Sequence, residues 1–228
     1  MSRLREEVSQ QLGNGKPICL FDFPGRENET DVVYIGHPSD AGIIDFLRRD
    51  VGAPVAAFLS GQLLARLGIV TFTELVRSQS GGLLKRLVAQ SRAHYCRFAI
   101  SIDARENVTG CSAFETSRTI QLLYKVVCES TRCDDSALAQ RFVDLFVVPG
   151  HVPVVRCADD LLKERRGHSE LALTIARMLD LPEIAVAAEL VDSSTQRSMT
   201  PDMARRFADD HDLSFVTGDD VIGWQHGA

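Results

Sequence analysis

The chain has 228 residues, 45% of them hydrophobic and 25% charged, with a formal net charge of −6. This is the balance of a globular protein with a substantial core, and it excludes extended disorder. The basic pairs Arg48–Arg49, Arg165–Arg166 and Arg205–Arg206 stand among acids, so there is no basic footprint for nucleic acid, and no stretch nears the ~20 apolar residues of a membrane span.

The first residues, MSRLREEVSQQ, carry charge without an apolar run, so no signal peptide is expected and the protein reads as cytoplasmic. Leu4, Val8 and Leu12 recur four apart, which predicts a helix over 3–12. Lys16 to Phe21 and Asp31 to Ile35 read as strands flanking the loop FDFPGRENETD. Ser39 or Asp40 can cap a helix running to about Asp50, with Ile43, Ile44 and Leu47 on one face. Val55 to Leu59 is a short buried strand, and Leu63 to Leu67 a helical turn stopped by Gly68.

Between 73 and 96 the pattern is weaker. Gly81 and Gly82 interrupt a polar stretch of Ser78, Gln79 and Ser80, the expected place for a mobile segment. Phe98 to Ile102 alternates as a strand, Ser117 to Cys128 and Ala137 to Phe142 are helical, and Val147 to Arg156 is a strand broken at Pro149–Gly150. Asp159 to Arg166 suits a short charged helix ending at Gly167, after which Ser169 can cap a helix bearing Leu171, Ile175 and Met178. Ile184 to Val191 is a strongly apolar strand, Thr200–Pro201 opens a last long helix, and Ser214 to Val216 is the final strand. Strands and helices mix without strict alternation or internal repeat, so the expectation is one α+β domain over 1–228. The six cysteines, at 19, 96, 111, 128, 133 and 157, form no C-x-x-C pair or zinc spacing and read as reduced thiols.

Four segments can hold chemistry. In the opening loop Glu27, Glu29 and Asp31 crowd together with only Arg26 to offset them. That is either a solvated surface turn or a platform whose hard oxygens take Mg²⁺. In VPGHVPVV, His151 follows a Pro–Gly kink and is either a satisfied turn residue or a proton-transfer group. RRGHSE, residues 165–170, is either an ordinary helix–helix turn or an anion site made by Arg165, the Gly167 backbone and Ser169 at a helix start, with His168 available to a metal or a phosphate. Glu189 ends the run AVAAE, where a carboxylate is costly unless paired or used, and desolvation there would raise its pKa.

Together and in order, RENETD, PGHV, RRGHSE and the Glu189 strand resemble 3,4-dihydroxy-2-butanone 4-phosphate synthase of riboflavin biosynthesis, whose signatures are R-E-x-E-x-D, P-G-H-V, R-x-G-H-T-E and a glutamate ending an apolar strand. Thr109–Gly110–Cys111–Ser112 resembles a further family segment, T-G-x-S, and the similarity runs from about residue 14 to residue 222. The resemblance implies a single-domain three-layer α/β/α fold with a mixed sheet. It implies a homodimer with shared active sites, and a lyase that uses Mg²⁺ (or Mn²⁺) to turn ribulose 5-phosphate into a four-carbon keto-phosphate and formate. By the same resemblance Glu27 and His168 share the metal. Arg26, Thr109, Arg165, Gly167 and Ser169 meet substrate or its phosphate, and Asp31, Glu29, Glu189 and His151 serve turnover, His151 reaching in from the partner subunit.

The chain also departs from the family pattern. Glu115–Thr116 stands where the family has Asp–Arg, and Ser169 replaces a threonine. Ala188 and an alanine near residue 56 replace cysteines, and Asp192–Ser193–Ser194–Thr195 replaces a D-D-G turn, while residues 77 to 96 match poorly. The alternatives are therefore a paralogue acting on a different sugar phosphate in a specialised pathway, and a non-catalytic sugar-phosphate-binding dimer.

Overall fold

Side-chain alternation along the strands builds the molecule. The computed structural model describes residues 3–79, 81–90 and 96–227. Its strands are β1 (Ile18–Phe21), β2 (Thr30–Ile35), β3 (Ala56–Leu59), β4 (Phe98–Ala104), β5 (Phe146–Arg156), β6 (Ile184–Glu189), β7 (Val191–Asp192), β8 (Arg197–Ser198) and β9 (Phe215–Thr217). Seven of them form one mixed sheet in the order β4-β5-β3-β6-β2-β1-β9, with β3·β5 and β1·β9 parallel and the other pairs antiparallel; β7 and β8 form a separate hairpin.

The helices are α1 (Arg3–Gly13), α2 (Ala41–Phe46), α3 (Gly61–Arg66), α4 (Phe72–Arg77), α5 (Leu83–Ala89), α6 (Ala113–Ser130), α7 (Asp135–Leu145), α8 (His168–Met178), α9 (Pro201–Asp210) and α10 (Gly218–Gln225). Because successive strand residues face opposite sides, the sheet has two cores. Val32, Tyr34, Ala57, Leu59, Val186 and Ala188 face α2, α3, α6, α7 and α9; Val33, Ile35, Ala56, Phe58, Ala185 and Ala187 face α1, α8 and α10. This is the expected three-layer α/β/α arrangement. Among the described residues no helix is long and apolar enough to cross a membrane, and the six cysteines are free thiols.

Most expected elements are present, several with altered ends. Asp40, not Ser39, caps α2 by accepting from the Ile43 N–H at 3.0 Å, and a π-helical turn, Leu47–Val51, carries the helix on to Gly52. Thr200 and Pro201 open α9 as expected. The stretch between 73 and 96 holds α4 and α5; its Ser80, and residues 91–95, lie outside the described residues. Three expectations need correction. Asp159 to Arg166 is no helix beyond a 3₁₀ turn at Leu161–Lys163, because Leu161 takes a left-handed φ of 47°. The α9 helix is not the last: Thr217 and Asp220 close a capping box that starts α10. Strand β5 is not interrupted at Pro149–Gly150; it bulges there, with a register shift against β4 between Ile102 and Asp103.

Candidate active site

The loop between β1 and β2 is organised by Asp22, an acid the sequence reading passed over. It is buried, and it accepts from the backbone N–H of Glu27 (3.0 Å) and Glu29 (3.2 Å) and from Arg26 Nη1 (2.8 Å). Gly25, at φ 81°, makes the turn that lets the chain fold back on this carboxylate. Arg26 Nη1 also meets Glu27 Oε2 at 2.6 Å. The loop is therefore no solvated turn: its one guanidinium is only 8% exposed and joins two carboxylates.

Sheet register supplies the next two acids. Asp31 of β2 stands opposite Glu189 of β6. Both share the strand face of Val33 and Ala187, so both lie on the side covered by α8. Burial raises the Asp31 pKa, with Glu189 adding to the effect and His168 opposing it. Glu29 is pushed up to about 7, first by burial and then by the charges of Glu189 and Glu27. Glu189 itself is held by a very short hydrogen bond from Ser198 Oγ on the β7–β8 hairpin.

At the start of α8 the cap lies two residues before the expected one. Gly167, not Ser169, is the N-cap, and Ser169 is already helical and buried. Of the donors at the helix start, the Gly167 N–H is met by Glu170 reaching back. This fully buried carboxylate accepts from the N–H of Gly167 (3.2 Å) and Ala158 (3.0 Å) and from Arg165 Nη1 (2.5 Å). A side chain at Gly167 would overlap the Arg165 guanidinium. Glu170→Ala would strip this carboxylate from Arg165 and from two buried N–H groups, with an expected loss of ~3–5 kcal/mol in urea unfolding; an unchanged midpoint would contradict the assignment.

His168, the first residue of α8, faces the acidic loop. Its Nε2–H donates to the Glu29 carbonyl at 3.0 Å, which leaves Nδ1 toward Glu27 Oε2 at 3.6 Å. Burial would depress the imidazole, but Asp31, Glu27 and Asp22 outweigh it and hold the pKa at about 9. Burial would likewise raise Glu27, yet His168 and Arg26 bring it down to about 2. An imidazole whose Nε2 is committed to a carbonyl offers Nδ1 as ligand, and the orientation is fixed by that second bond. The 3.6 Å separation would close by about 0.6 Å to reach the ~3 Å edge of an octahedron with ~2.1 Å bonds. Glu27 and His168 thus fit a small hard cation. Asp22 lies in the same cluster, but its oxygens serve the loop.

One cavity of about 330 Å³ gathers Arg26, Glu27, Glu29, Asp31, Arg165, His168, Ser169 and Glu189; Gly167, between Arg165 and His168 in the chain, is not among its lining residues. It does not take in Thr109 or His151. These sit at the far edge of the sheet. The β4–β5 ladder passes from Ile102↔Val152 to Asp103↔Val147, so residues 148–151 bulge out opposite no partner. Asp103 occupies the gap, accepting from the His151 N–H at 3.1 Å and meeting His151 Nδ1 at 2.6 Å. A bulge of this kind re-aims a side chain, and the His151 ring is about half exposed, at 48%. Gly110 packs on this pair so closely that a Cβ would overlap Asp103 and His151. The loop before α6 is held by Glu115, which accepts from the N–H of Val108, Thr109 and Gly110 and from the hydroxyls of Thr109 (2.8 Å) and Ser112 (3.2 Å).

Comparison with known proteins gives one family. The family model described as 3,4-dihydroxy-2-butanone 4-phosphate synthase matches residues 6–224. The 3,4-dihydroxy-2-butanone 4-phosphate synthase of Methanothermobacter thermautotrophicus is 29% identical over 221 residues, covering 95% of this chain and 93% of that protein. The riboflavin biosynthesis protein RibBA of Mycobacterium avium is 29% identical over 222 residues, 96% of this chain; the chain spans only 46% of that longer relative. A crystal structure of 3,4-dihydroxy-2-butanone 4-phosphate synthase in complex with two magnesium ions shares the fold at TM-score 0.76 and 21% identity, over 98% of this chain and 96% of that one.

Proposed function

The chain belongs to the 3,4-dihydroxy-2-butanone 4-phosphate synthase family, and from that premise we propose that it is a Mg²⁺-dependent lyase converting D-ribulose 5-phosphate into L-3,4-dihydroxy-2-butanone 4-phosphate and formate. The observation that carries this reading is the pairing of Glu27 with His168 Nδ1 in the same cavity as Glu29, Asp31 and Glu189. The reaction needs an enediol, loss of a hydroxyl, a skeletal shift and C–C cleavage, hence proton transfers at several carbons of one substrate. A divalent cation held by Glu27 and His168 would acidify the C–H beside the substrate oxygens that it binds.

The residues divide the remaining work. Arg165 and the free N–H groups at the start of α8 anchor the phosphate, which fixes the carbon chain while it rearranges. Asp31, buried and opposite Glu189, removes and returns protons from the sheet side, while Glu29, with a pKa near 7, can exchange a proton at neutral pH. Arg26 neutralises the loop and orients Glu27.

We place His151 and Thr109 in the site of a partner subunit. Val147 and Val148 of the strand that carries His151, Val108 beside Thr109 in the loop before α6, Phe114 in the first turn of α6 and Val143 in the last turn of α7 are all exposed. Exposed apolar side chains on the segments that carry these two residues suit a protein contact, and a homodimer related by a two-fold axis would bring each bulge to the other chain's cavity.

The test is formate release followed by proton NMR. Formate is expected with D-ribulose 5-phosphate and Mg²⁺, is expected to stop on adding EDTA, and to return when Mg²⁺ is restored. Absence of formate at high enzyme concentration with Mg²⁺ would rule the reading out. A second reading, the same scaffold on another sugar phosphate, is favoured by the cavity lining, which includes Ala188, where the resemblance gives a cysteine, and the strand near residue 56, where it gives another and this chain has alanine. Pentulose and tetrulose phosphates in the same assay separate the two.

A further inference from the structure

The cavity lining carries both signs of charge. Glu27, Glu29, Asp31 and Glu189 come to it from the β1–β2 loop, β2 and β6, and besides Arg26 of that loop the arginines Arg97 and Arg165 come from the residues before β4 and α8. Arg97 lies just before β4. It is held across to β5 twice: its Nε donates to the Arg156 carbonyl at 2.8 Å, and the Arg156 N–H donates to its own carbonyl at 3.0 Å. That arrangement engages Nε and pairs the guanidinium with no carboxylate. Arg26 is matched by Asp22 and Glu27, and Arg165 by Glu170, whereas among the described residues Arg97 forms no ion pair. Glu74 feels Arg97 and Arg156 but gives its carboxylate to the Thr71 N–H, at 2.8 Å, at the start of α4. Arg97 and Arg165 both line this one cavity, and the buried Cys157 thiol, pushed up by burial and then by Glu170, is opposed by the charges of both Arg165 and Arg97. A cation lining a cavity without a carboxylate of its own is poised for an anionic ligand.

We infer that Arg97 is a second guanidinium of the phosphate anchor, binding a phosphate monoester dianion jointly with Arg165 and the start of α8. The inference rests on the proposed sugar-phosphate reading and extends it: with one arginine already committed to Glu170, a second supplies the charge that distinguishes a dianion from a neutral sugar.

Inorganic phosphate is the probe, because its binding needs no turnover. Titration calorimetry of the intact protein is expected to show phosphate binding that Arg97→Ala weakens ~10- to 100-fold, the loss of a charge-assisted pair. Arg97→Lys, a point charge without the fork, should fall between. With ribulose 5-phosphate the variant should raise KM by a similar factor and leave kcat within ~3-fold. Competition by D-ribulose, which lacks the phosphate, should be unaffected. Thermal midpoints of both variants, measured alongside, exclude unfolding as the source, and Arg97→Lys carries the test should Arg97→Ala fail to fold. Phosphate affinity unchanged in the substituted protein overturns the inference while formate release, and with it the proposed reaction, still stands. A wild-type protein that binds no phosphate overturns it together with the anchor at α8. Loss of formate release with phosphate binding intact strikes at the proposed reaction alone.

Discussion

Glu27→Gln is expected to lower kcat/KM by ~10³-fold or more, about 4 kcal/mol of transition-state stabilisation. The amide keeps the size of the side chain and its place beside Arg26, so the fold should survive: the Glu27 side chain is 26% exposed and its own backbone is held by Asp22. What disappears is the negative charge. Glu27 is kept ionised at a pKa of about 2 by His168 and Arg26 against the pull of burial, and a hard cation prefers such an anionic oxygen to an amide carbonyl. Removing it should also let the His168 pKa fall, since Glu27 is one of the carboxylates that raise it. Calorimetric titration with Mg²⁺ should show the affinity lost in parallel with the rate. A Glu27→Gln protein that retains a tenth of wild-type formate release would remove Glu27 from the metal site.

Much of the fold could be read from the chain because its signals are local. The two-residue period of β2 and β6 gives the strands and also sets Asp31 and Glu189 on the α8 side. Asp40 before Ala41, and Thr200 before Pro201, are caps that act within one turn. The failures are non-local. Ser169 looked like the cap of α8 because a hydroxyl before an apolar run usually is, but Glu170 reaches back to Gly167 and also binds Ala158 and Arg165, residues that folding brings to it from the preceding loop. Asp22 gave no signal beyond being an acid at a strand end; its role follows from a loop that curls around it. Asp103 was invisible for the opposite reason, standing in an alternating strand whose partner bulges away. Arg97 adjoins a stretch with weak periodicity, and only the folded chain brings it into the same cavity as Arg165.

Mixing two inactive variants should restore activity. His151→Ala leaves Glu27, Glu29, Asp31 and His168 untouched, since the histidine lies on the β4–β5 bulge and the cavity of its own chain does not include it. Glu27→Gln leaves the bulge untouched. If each site draws its cavity from one chain and its His151 from the other, each homodimer carries two defective sites. A mixed dimer carries one site with both defects and one with neither. Random reassociation makes about half of the dimers mixed, so the recovered rate should approach about one quarter of wild type. The Asp103 carboxylate supports this assignment physically: at 2.6 Å from Nδ1 it orients the ring and leaves Nε2 as the nitrogen available to an incoming substrate. The exposed Val147 and Val148 flank the same bulge, and charged substitutions there should weaken subunit association and activity together. Differently tagged variants, co-expressed and purified through both tags, give the mixed species free of either homodimer. If that species releases formate no faster than its parents, His151 does not act across the subunit boundary, and the shared site must be abandoned even should the chain prove dimeric.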